Sequence, residues 1–293
     1  VTLTTADTAV TSWLDDITIS FADSDSTAPT TNASAIKLYK SNGGTEVGEG
    51  AWNNSSTPYF SWTAGQDNSG GLGLKGYCLY LGHDSTGNPV TSKGVLGTSP
   101  VDTEGACQFA VSGTNLDLST LNYLGSALTT SNDPYYLNIK AIDLSYNVIS
   151  SSASFNFKLD NTPPSNPAYI TAPSNFINTK TATLSWATSG GDAASDTHSG
   201  LAGLQYKIGA DGVWYGDSHS GAQDATDLLT NDGSYTTQST PDFANLSDGN
   251  NVIYFRTWDQ AGNVTMANVT TVLKINTSGA PSSPQNLIAT PST

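Results

Sequence analysis

Residues 135–167 read YYLNIKAIDLSYNVISSSASFNFKLDNTPPSNP, and residues 251–284 read NVIYFRTWDQAGNVTMANVTTVLKINTSGAPSSP. Each stretch contains a strand-like segment, an Asp-x-x-x-Asn turn, a second strand-like segment and a linker rich in Pro and Ser. In the first stretch, Tyr135, Leu137 and Ile139 alternate with polar residues. This period of two predicts half-buried β-strands, and the match between the stretches predicts a tandem repeat.

A second pair of matching blocks precedes the first pair. Residues 57–82 (TPYFSWTAGQDNSGGLGLKGYCLYLG) parallel residues 181–209 (TATLSWATSGGDAASDTHSGLAGLQYKIG). In both, a strand ending in Ser-Trp leads to an acidic, Gly-rich loop and then to a strand that carries Tyr. Trp62 and Trp186 recur at matched positions on alternating strands, which predicts that both belong to a hydrophobic core.

Proline-containing linkers set the predicted domain boundaries. Proline has no amide to donate to a β-ladder and stiffens the chain, so these runs separate one domain from the next. We predict one domain over residues 30–163 and another over 164–279. Residues 1–28 are predicted to be terminal strands of a preceding unit or a donor segment. Residues 280–293 are predicted to be a linker and the first strand of a following unit.

The composition agrees with an all-β protein and argues against some classes of binding partner. The hydrophobic fraction is 37%, and the polar residues are mainly Ser, Thr, Asn, Asp and Gly, which favour strands and turns over helices. The chain carries 10 basic and 25 acidic residues, a net charge of −15. Such a chain is repelled by nucleic acid and by anionic membranes. We expect no membrane span in this segment, and its first 20 residues do not resemble a signal peptide.

The segments AIDLSYN (141–147) and TWDQAGN (257–263) resemble the immunoglobulin-like and fibronectin-type-III-like repeats of large bacterial cell-surface or secreted proteins. The resemblance implies tandem immunoglobulin-like β-sandwich domains and an extracellular location. It also places Tyr135 where these folds often have a tyrosine that locks the corner before the strand. Asn251 stands at that position in the second repeat. Tyr146 stands where the second turn has Gly262, which predicts a different turn geometry.

The two cysteines, Cys78 and Cys107, fall in the same predicted domain. An even pair in a chain of this composition predicts a disulfide. The alternative is two buried free thiols.

Calcium is the predicted small ligand, because short runs of carboxylate and amide oxygens on turns are what this cation requires. One candidate group lies in the loops after the Ser-Trp strands, and a second lies at the linkers. The loop group is Asp67, Asn68, Asp192 and Asp196, and the linker group is Asp23, Asp25, Asp160 and Asn161. The alternative is that these residues only stabilise turns by bonding nearby backbone amides.

Catalysis is not expected. The three histidines, His83, His198 and His219, all lie in predicted loops and in none of the familiar zinc or nucleophile motifs. Asp217 and Ser218 precede His219, but adjacent residues on one loop do not usually form a catalytic triad. We therefore predict that the chain is not an enzyme.

Three aromatic residues, Trp214, Tyr215 and Trp258, form the predicted ligand surface. Exposed aromatic rings stack on sugars, so a glycan is the ligand they would fit. The alternative is that the loop carrying Trp214 and Tyr215 folds over the edge of the sandwich and buries them.

Three functional hypotheses follow. The first is a structural or adhesive repeat segment of a cell-surface protein, whose partners are other copies, other surface proteins or glycans. The second is a filament or surface-layer subunit, in which residues 17–21 complete a neighbour's sheet by β-strand addition. The third is a carbohydrate-binding accessory region of a secreted hydrolase.

Overall fold

The computed structural model describes residues 25–216, 223–224, 233–237, 243 and 246–279. In this described part the strands, in chain order, are β1 (Ser34–Tyr39), β2 (Glu46–Val47), β3 (Trp52–Asn53), β4 (Tyr59–Thr63), β5 (Leu74–Gly82), β6 (Ala110–Val111), β7 (Asn115–Asp117), β8 (Ser131–Asp143), β9 (Ala153–Leu159), β10 (Thr183–Ser185), β11 (Leu201–Ile208), β12 (Tyr215–Gly216), β13 (Gln223–Asp224), β14 (Ser234–Thr236), β15 (Gly249–Asp259) and β16 (Val269–Ile275). The all-β class is confirmed.

Strands β1 to β9 form the first sandwich. One sheet has the order β2-β1-β4-β7, and the other has the order β3-β9-β8-β5-β6. Their pairings are antiparallel except for β3 with β9, which is parallel. The two sheets enclose one hydrophobic core, in which Phe60, Phe109, Phe157 and Leu79 are fully buried. Burial of these side chains is the main stabilising contribution of the sandwich.

Strands β10 to β16 form the second sandwich. A pair, β10-β14, faces a sheet of order β13-β12-β11-β15-β16. Tyr206, Phe243, Phe255 and Leu273 are fully buried in a second hydrophobic core. The cores are separate, so each sandwich has its own interior, as expected of tandem immunoglobulin-like units.

The alternation predicted for the central strands is confirmed on the core face, but Asn138 on the opposite face of β8 is also buried, where its Nδ2 donates to Gly87 O at 2.8 Å. Leu137 and Ile139 on β8 are fully buried, and Ile253 on β15 is equally buried. Trp62 and Trp186 are 5% and 6% exposed, so both belong to the cores as predicted.

The corner before the central strand is locked in both sandwiches, by different side chains. In the first, the Tyr135 hydroxyl accepts a hydrogen bond from Thr129 N at 3.0 Å and lies 3.2 Å from Thr129 O. In the second, Asn251 Nδ2 donates to Ser247 O at 2.9 Å. A shorter amide therefore performs the tie that tyrosine performs in the first sandwich.

The predicted disulfide is confirmed. Cys78 on β5 is bonded to Cys107, with their Cα atoms 5.9 Å apart. Both are buried beside Ala110 and Ile142, in a small cluster separate from the main core. The bond ties the long connection between β5 and β6 to the sheet.

Strand direction places the linkers at opposite ends of each sandwich. Strand β8 ends at Asp143, and β9 returns so that Leu159 lies opposite Ser131 at the start of β8. We call the end with the Asp-x-x-x-Asn turn the N-terminal pole, because the incoming linker contacts that turn. The end where β9 or β16 finishes is the C-terminal pole.

The prediction of different turn geometries at the two N-terminal poles was wrong. Tyr146 has φ 67° and Gly262 has φ 90°, so both adopt the left-handed conformation. Tyr146 N donates to Asp143 O and Gly262 N donates to Asp259 O, each at 3.1 Å. The remaining hydrogen bonds of the turn hold Tyr146 in a conformation that glycine adopts more easily.

No helix among the described residues is both long enough and apolar enough to cross a membrane.

Candidate metal centres

The Asp-x-x-x-Asn turn is organised by its own aspartate. Asp143 Oδ1 accepts hydrogen bonds from Ser145 N and Asn147 N, both at 2.8 Å. Asp259 Oδ1 likewise accepts one from Asn263 N at 2.8 Å. These bonds hold a buried carboxylate at the N-terminal pole of each sandwich.

The asparagine of the turn fastens the incoming linker. Asn147 Nδ2 donates to Asp25 O at 2.9 Å and to Asp143 Oδ2 at 2.9 Å. The second sandwich repeats this arrangement, with Asn263 Nδ2 at 2.8 Å from Asp160 O. Each linker aspartate is therefore held beside the turn aspartate.

A third aspartate comes from the Gly-rich loop before β5 or β11. Asp67 Oδ2 accepts a hydrogen bond from Gly73 N at 2.7 Å. Asp196 Oδ2 accepts one from Gly200 N at 2.7 Å and one from His198 N at 3.1 Å. Backbone amides of the Gly-rich loop thus fix a carboxylate in both sandwiches, with different spacings along the chain.

Three carboxylates converge at each N-terminal pole. A first triad consists of Asp25, Asp67 and Asp143, and a second triad consists of Asp160, Asp196 and Asp259. Within each triad, one oxygen from every carboxylate lies within 4.8 Å of the others.

The triads unite residues that the sequence assigned to separate candidate sites. Asp67 and Asp196 were predicted as loop ligands, and Asp25 and Asp160 as linker ligands. The structure places one of each in the same group.

The third members, Asp143 and Asp259, were not predicted as ligands. Both open the repeated Asp-x-x-x-Asn turn that defined the repeat. That recurrence was the signal that could have identified them.

The other predicted ligands have different surroundings. Asp192 is exposed and lies outside the second triad, and its backbone oxygen accepts a hydrogen bond from Ala168 N. The Asn161 side chain binds Thr130 across the linker. The Asn68 side-chain amide lies beside Asp67 and Asp25 of the first triad. Asp23 lies outside the described residues.

Electrostatic repulsion within each triad is large. Two carboxylates about 5 Å apart at a partly buried site repel by about 3 kcal/mol. None of the six pairs with a lysine or arginine among the described residues. Burial raises the pKa of Asp259, and the nearby charges of Asp160 and Asp196 raise it further. A bound cation would remove this penalty.

The donor set fits a hard divalent cation. All three charged ligands are carboxylates, and calcium and magnesium select oxygen ligands of this kind, whereas zinc and copper favour nitrogen and sulfur. In the second sandwich, Ser199 N donates to Asp160 Oδ2 at 3.0 Å. The Ser199 hydroxyl is buried and forms no hydrogen bond with any described residue, so one more oxygen is available near the triad.

The second triad lies at the joint between the sandwiches. Lys40 Nζ of the first sandwich donates to Ala261 O, in the turn that supplies Asp259, at 3.1 Å. Burial lowers the pKa of Lys40, and the charge of Asp259 opposes that effect. Trp52 and Trp258 line a cleft of about 400 Å³ beside this contact. The turn of residues 259–263 therefore supplies a carboxylate to the second triad and also contacts the first sandwich.

The three aromatic residues of the predicted ligand surface have different partners. Trp214 lies against Arg256, whose guanidinium carbon is 4.1 Å from the ring centroid. Tyr215 stacks on the buried Tyr206, with centroids 5.4 Å apart. Trp258 is 9% exposed and lines the joint cleft. Tyr215 therefore packs against the core of the second sandwich, and a glycan surface at Trp214 and Trp258 stays a prediction.

The described histidines have local partners. His83 Nδ1 lies 3.1 Å from Pro134 O, and its ring is 4.0 Å from the ring of Tyr135. His198 Nδ1 lies 2.9 Å from Thr197 Oγ1. His219 falls outside the described residues.

Comparison with known proteins gives structural neighbours only. No protein-family model and no curated protein matches the chain. The fibronectin(III)-like modules of Clostridium thermocellum CbhA are 11% identical, over 82% of this chain and 96% of theirs, with a TM-score of 0.38. The FN1-FN3 domains of chicken CNTN1 are 12% identical, over 85% of this chain and 64% of theirs, with a TM-score of 0.36.

A further neighbour is a tetra-tandem repeat in the extending region of a large adhesion protein. It is 16% identical, over 84% of this chain and 67% of its own, with a TM-score of 0.25. The β-sandwich fold itself follows from the sheets and cores described above.

Proposed function

We propose that the chain is a non-catalytic structural or adhesive repeat segment of an extracellular protein, and that calcium stiffens its joints. The observation that carries the proposal is the recurrence of one three-carboxylate group at the N-terminal pole of both sandwiches. Turn stabilisation alone requires one aspartate per turn, whereas each pole brings together acids from three separate segments.

The mechanism is mechanical. Each triad takes one carboxylate from the linker, one from the Gly-rich loop and one from the turn. A calcium ion bound to all three would tie the linker to the sandwich that follows it. At the second triad, the same turn contacts Lys40 of the first sandwich. Fixing the turn and the linker together would limit the angles that the two sandwiches can adopt.

The disulfide and the proposed calcium sites both fit an extracellular location. Disulfides persist in oxidising compartments, and one is present in the first sandwich. Calcium is plentiful outside cells, so sites of modest affinity are filled there, as in extracellular modules with Kd values of about 10⁻⁴ to 10⁻³ M.

Thermal unfolding tests the calcium proposal. In 2 mM calcium we expect the melting temperature to rise by several degrees relative to EDTA, because a cation that binds only the native state stabilises it by about 0.7 to 1.8 kcal/mol per site when present at about 2 to 20 times Kd. Magnesium at the same concentration is the control and should have a much smaller effect, since it demands a more regular octahedral geometry. Identical curves in calcium and EDTA would contradict the proposal.

The alternatives raised by the sequence have less support. Glycan binding rests on Trp214, whose ring already contacts Arg256 and Lys207. Strand addition by residues 17–21 concerns a segment outside the described residues. No structural observation favours either over the calcium-stiffened segment.

A further inference from the structure

Beside the second triad lies an oxygen that the protein itself leaves without a partner. Ser199 is 5% exposed, and its hydroxyl forms no hydrogen bond with any described residue. An unpaired buried hydroxyl costs free energy in the folded state, so a partner from outside the chain is expected. Ser199 therefore marks a place where the second triad binds a group that the chain does not supply.

The Ser199 hydroxyl is held close to the carboxylates of this triad. The backbone amide of Ser199 donates to Asp160 Oδ2 at 3.0 Å, and the amide of the next residue, Gly200, donates to Asp196 Oδ2 at 2.7 Å. Two successive amides thus bind two different carboxylates. The hydroxyl lies one side-chain length from the first of these amides, and a serine hydroxyl can rotate to present a lone pair. It can therefore serve as a fourth oxygen ligand.

The first triad has a different neutral oxygen, in the amide of Asn68. A Cβ added to Gly71 would lie 2.6 Å from Asn68 Oδ1, 2.9 Å from Asp25 Oδ2 and still closer to Asp67 Oδ2. These three oxygens therefore converge beside the glycine. In this orientation Asn68 Oδ1 faces only hydrogen-bond acceptors. Oxygens that meet without a proton between them repel, and a cation among them removes that repulsion.

Asn68 can also compete with a cation. When its amide is turned over, Nδ2 donates to Thr27 O at 3.2 Å and to Asp67 Oδ1 at 2.9 Å. These bonds close the first site without a cation, because the amide protons then lie between the oxygens. A cation that uses Asn68 Oδ1 has to break both bonds. Ser199 has no such bond to lose, since its hydroxyl is unpaired among the described residues.

The second triad is also the more deeply buried of the two. Asp160 and Asp259 are both fully buried, whereas Asp143 is the only fully buried acid of the first triad. Like charges repel more strongly where water is excluded. The calcium-free second triad therefore carries the larger electrostatic penalty, and a cation bound there relieves more of it.

We propose that Ser199 Oγ is the fourth protein ligand of a calcium ion at the second triad, and that this site fills before the first, where the Asn68 amide competes. The inference rests on the proposed calcium binding and adds the order in which the two sites respond. As the calcium concentration rises, the joint between the sandwiches is fixed first. The linker that enters the first sandwich is fixed only at a higher concentration, so the chain stiffens in two steps.

Isothermal titration calorimetry on two single-site chains tests this order. Asp25→Asn leaves only the second triad intact, and Asp196→Asn leaves only the first. We expect the second site to bind calcium about tenfold more tightly than the first, which is the order of effect that the loss of one or two hydrogen bonds produces. Equal affinities, or a tighter first site, overturn the proposed order. Calcium binding by neither chain overturns the proposed function as well.

Ser199→Ala, added to the Asp25→Asn chain, tests the ligand. Calcium affinity should fall about tenfold, because one of four protein ligands is lost. In EDTA the same variant should melt at an equal or higher temperature, since alanine removes an unpaired buried hydroxyl. A serine with only a structural role would lower the melting temperature in both conditions.

The matched control is Thr197→Ala, which removes an exposed hydroxyl of the same loop, 2.9 Å from His198 Nδ1, and should leave the calcium affinity unchanged. An unchanged affinity for Ser199→Ala, in a chain that still binds calcium, overturns the assignment of this ligand and leaves the calcium proposal standing.

Discussion

Replacing Asp196 by Asn should remove one of two calcium sites and leave the other intact. Asp196 Oδ2 accepts hydrogen bonds from Gly200 N and His198 N, and the oxygen of an asparagine can keep both. Its other oxygen, free to face a cation, would become an uncharged NH₂ group. We expect the affinity of the second site to fall by about 100-fold, because calcium affinity depends on the number of charged ligands. Isothermal titration calorimetry should record two sites in the unmodified chain and one in the variant.

Two companion variants make this result specific. Asp192→Asn removes an equal charge from the same loop but lies outside the triad, so both sites should remain. Asp25→Asn should remove the first site only, because Asp25 belongs to the first triad and not to the second. The asparagine oxygen can keep the hydrogen bond that Asp25 Oδ1 accepts from Thr27 N. If Asp196→Asn and Asp192→Asn bind calcium equally well, the triad is not the site.

Asn32→Ala should be among the most destabilising single substitutions in the first sandwich. The Asn32 side chain donates to Ile139 O at 2.8 Å and Ser151 O at 2.9 Å, and accepts from Ala141 N at 2.9 Å. It thereby bridges the central strand and the connection that follows the turn. Removing it leaves several backbone groups without partners, at about 1 to 3 kcal/mol each. We expect urea unfolding to show a loss of about 4 kcal/mol.

The second sandwich provides an independent repeat of this test. Asn166 accepts from Thr257 N at 2.8 Å and donates to Ala267 O at 2.7 Å, so Asn166→Ala should destabilise its own sandwich similarly. The exposed Asn42 is the control, and Asn42→Ala should change the unfolding free energy by less than about 0.5 kcal/mol. A loss below about 1 kcal/mol for Asn32→Ala would show that water replaces the lost hydrogen bonds.

Sequence periodicity predicted the fold well, because half-buried strands impose their pattern on every second residue. The alternation at Leu137 and Ile139 and the matched tryptophans Trp62 and Trp186 all reflect burial against one sheet face. The prediction about Tyr146 was wrong because residue preference is a weak guide where several hydrogen bonds determine a turn. There, the bonds to Asp143 outweigh the cost of a left-handed tyrosine.

The candidate site was only partly predictable. Oxygen ligands in the loops and linkers were recognisable from residue type and spacing. Their convergence was not, since Asp25 and Asp143 are far apart in the chain and meet only because β8 returns the turn to the incoming linker. The third ligand of each triad became apparent once strand direction placed the turn at the same pole as the linker.

The central claim, that calcium stiffens the joint between the sandwiches, is tested most directly by the distance distribution between two spin labels. Ser112→Cys in the first sandwich and Val272→Cys in the second are exposed positions for the labels. Pulsed electron–electron double resonance in calcium should give a single narrow distribution of distances between the labels, and EDTA should broaden that distribution. Adding Asp196→Asn should leave the distribution broad even in calcium. Equal widths in calcium and EDTA for the labelled chain would contradict the account.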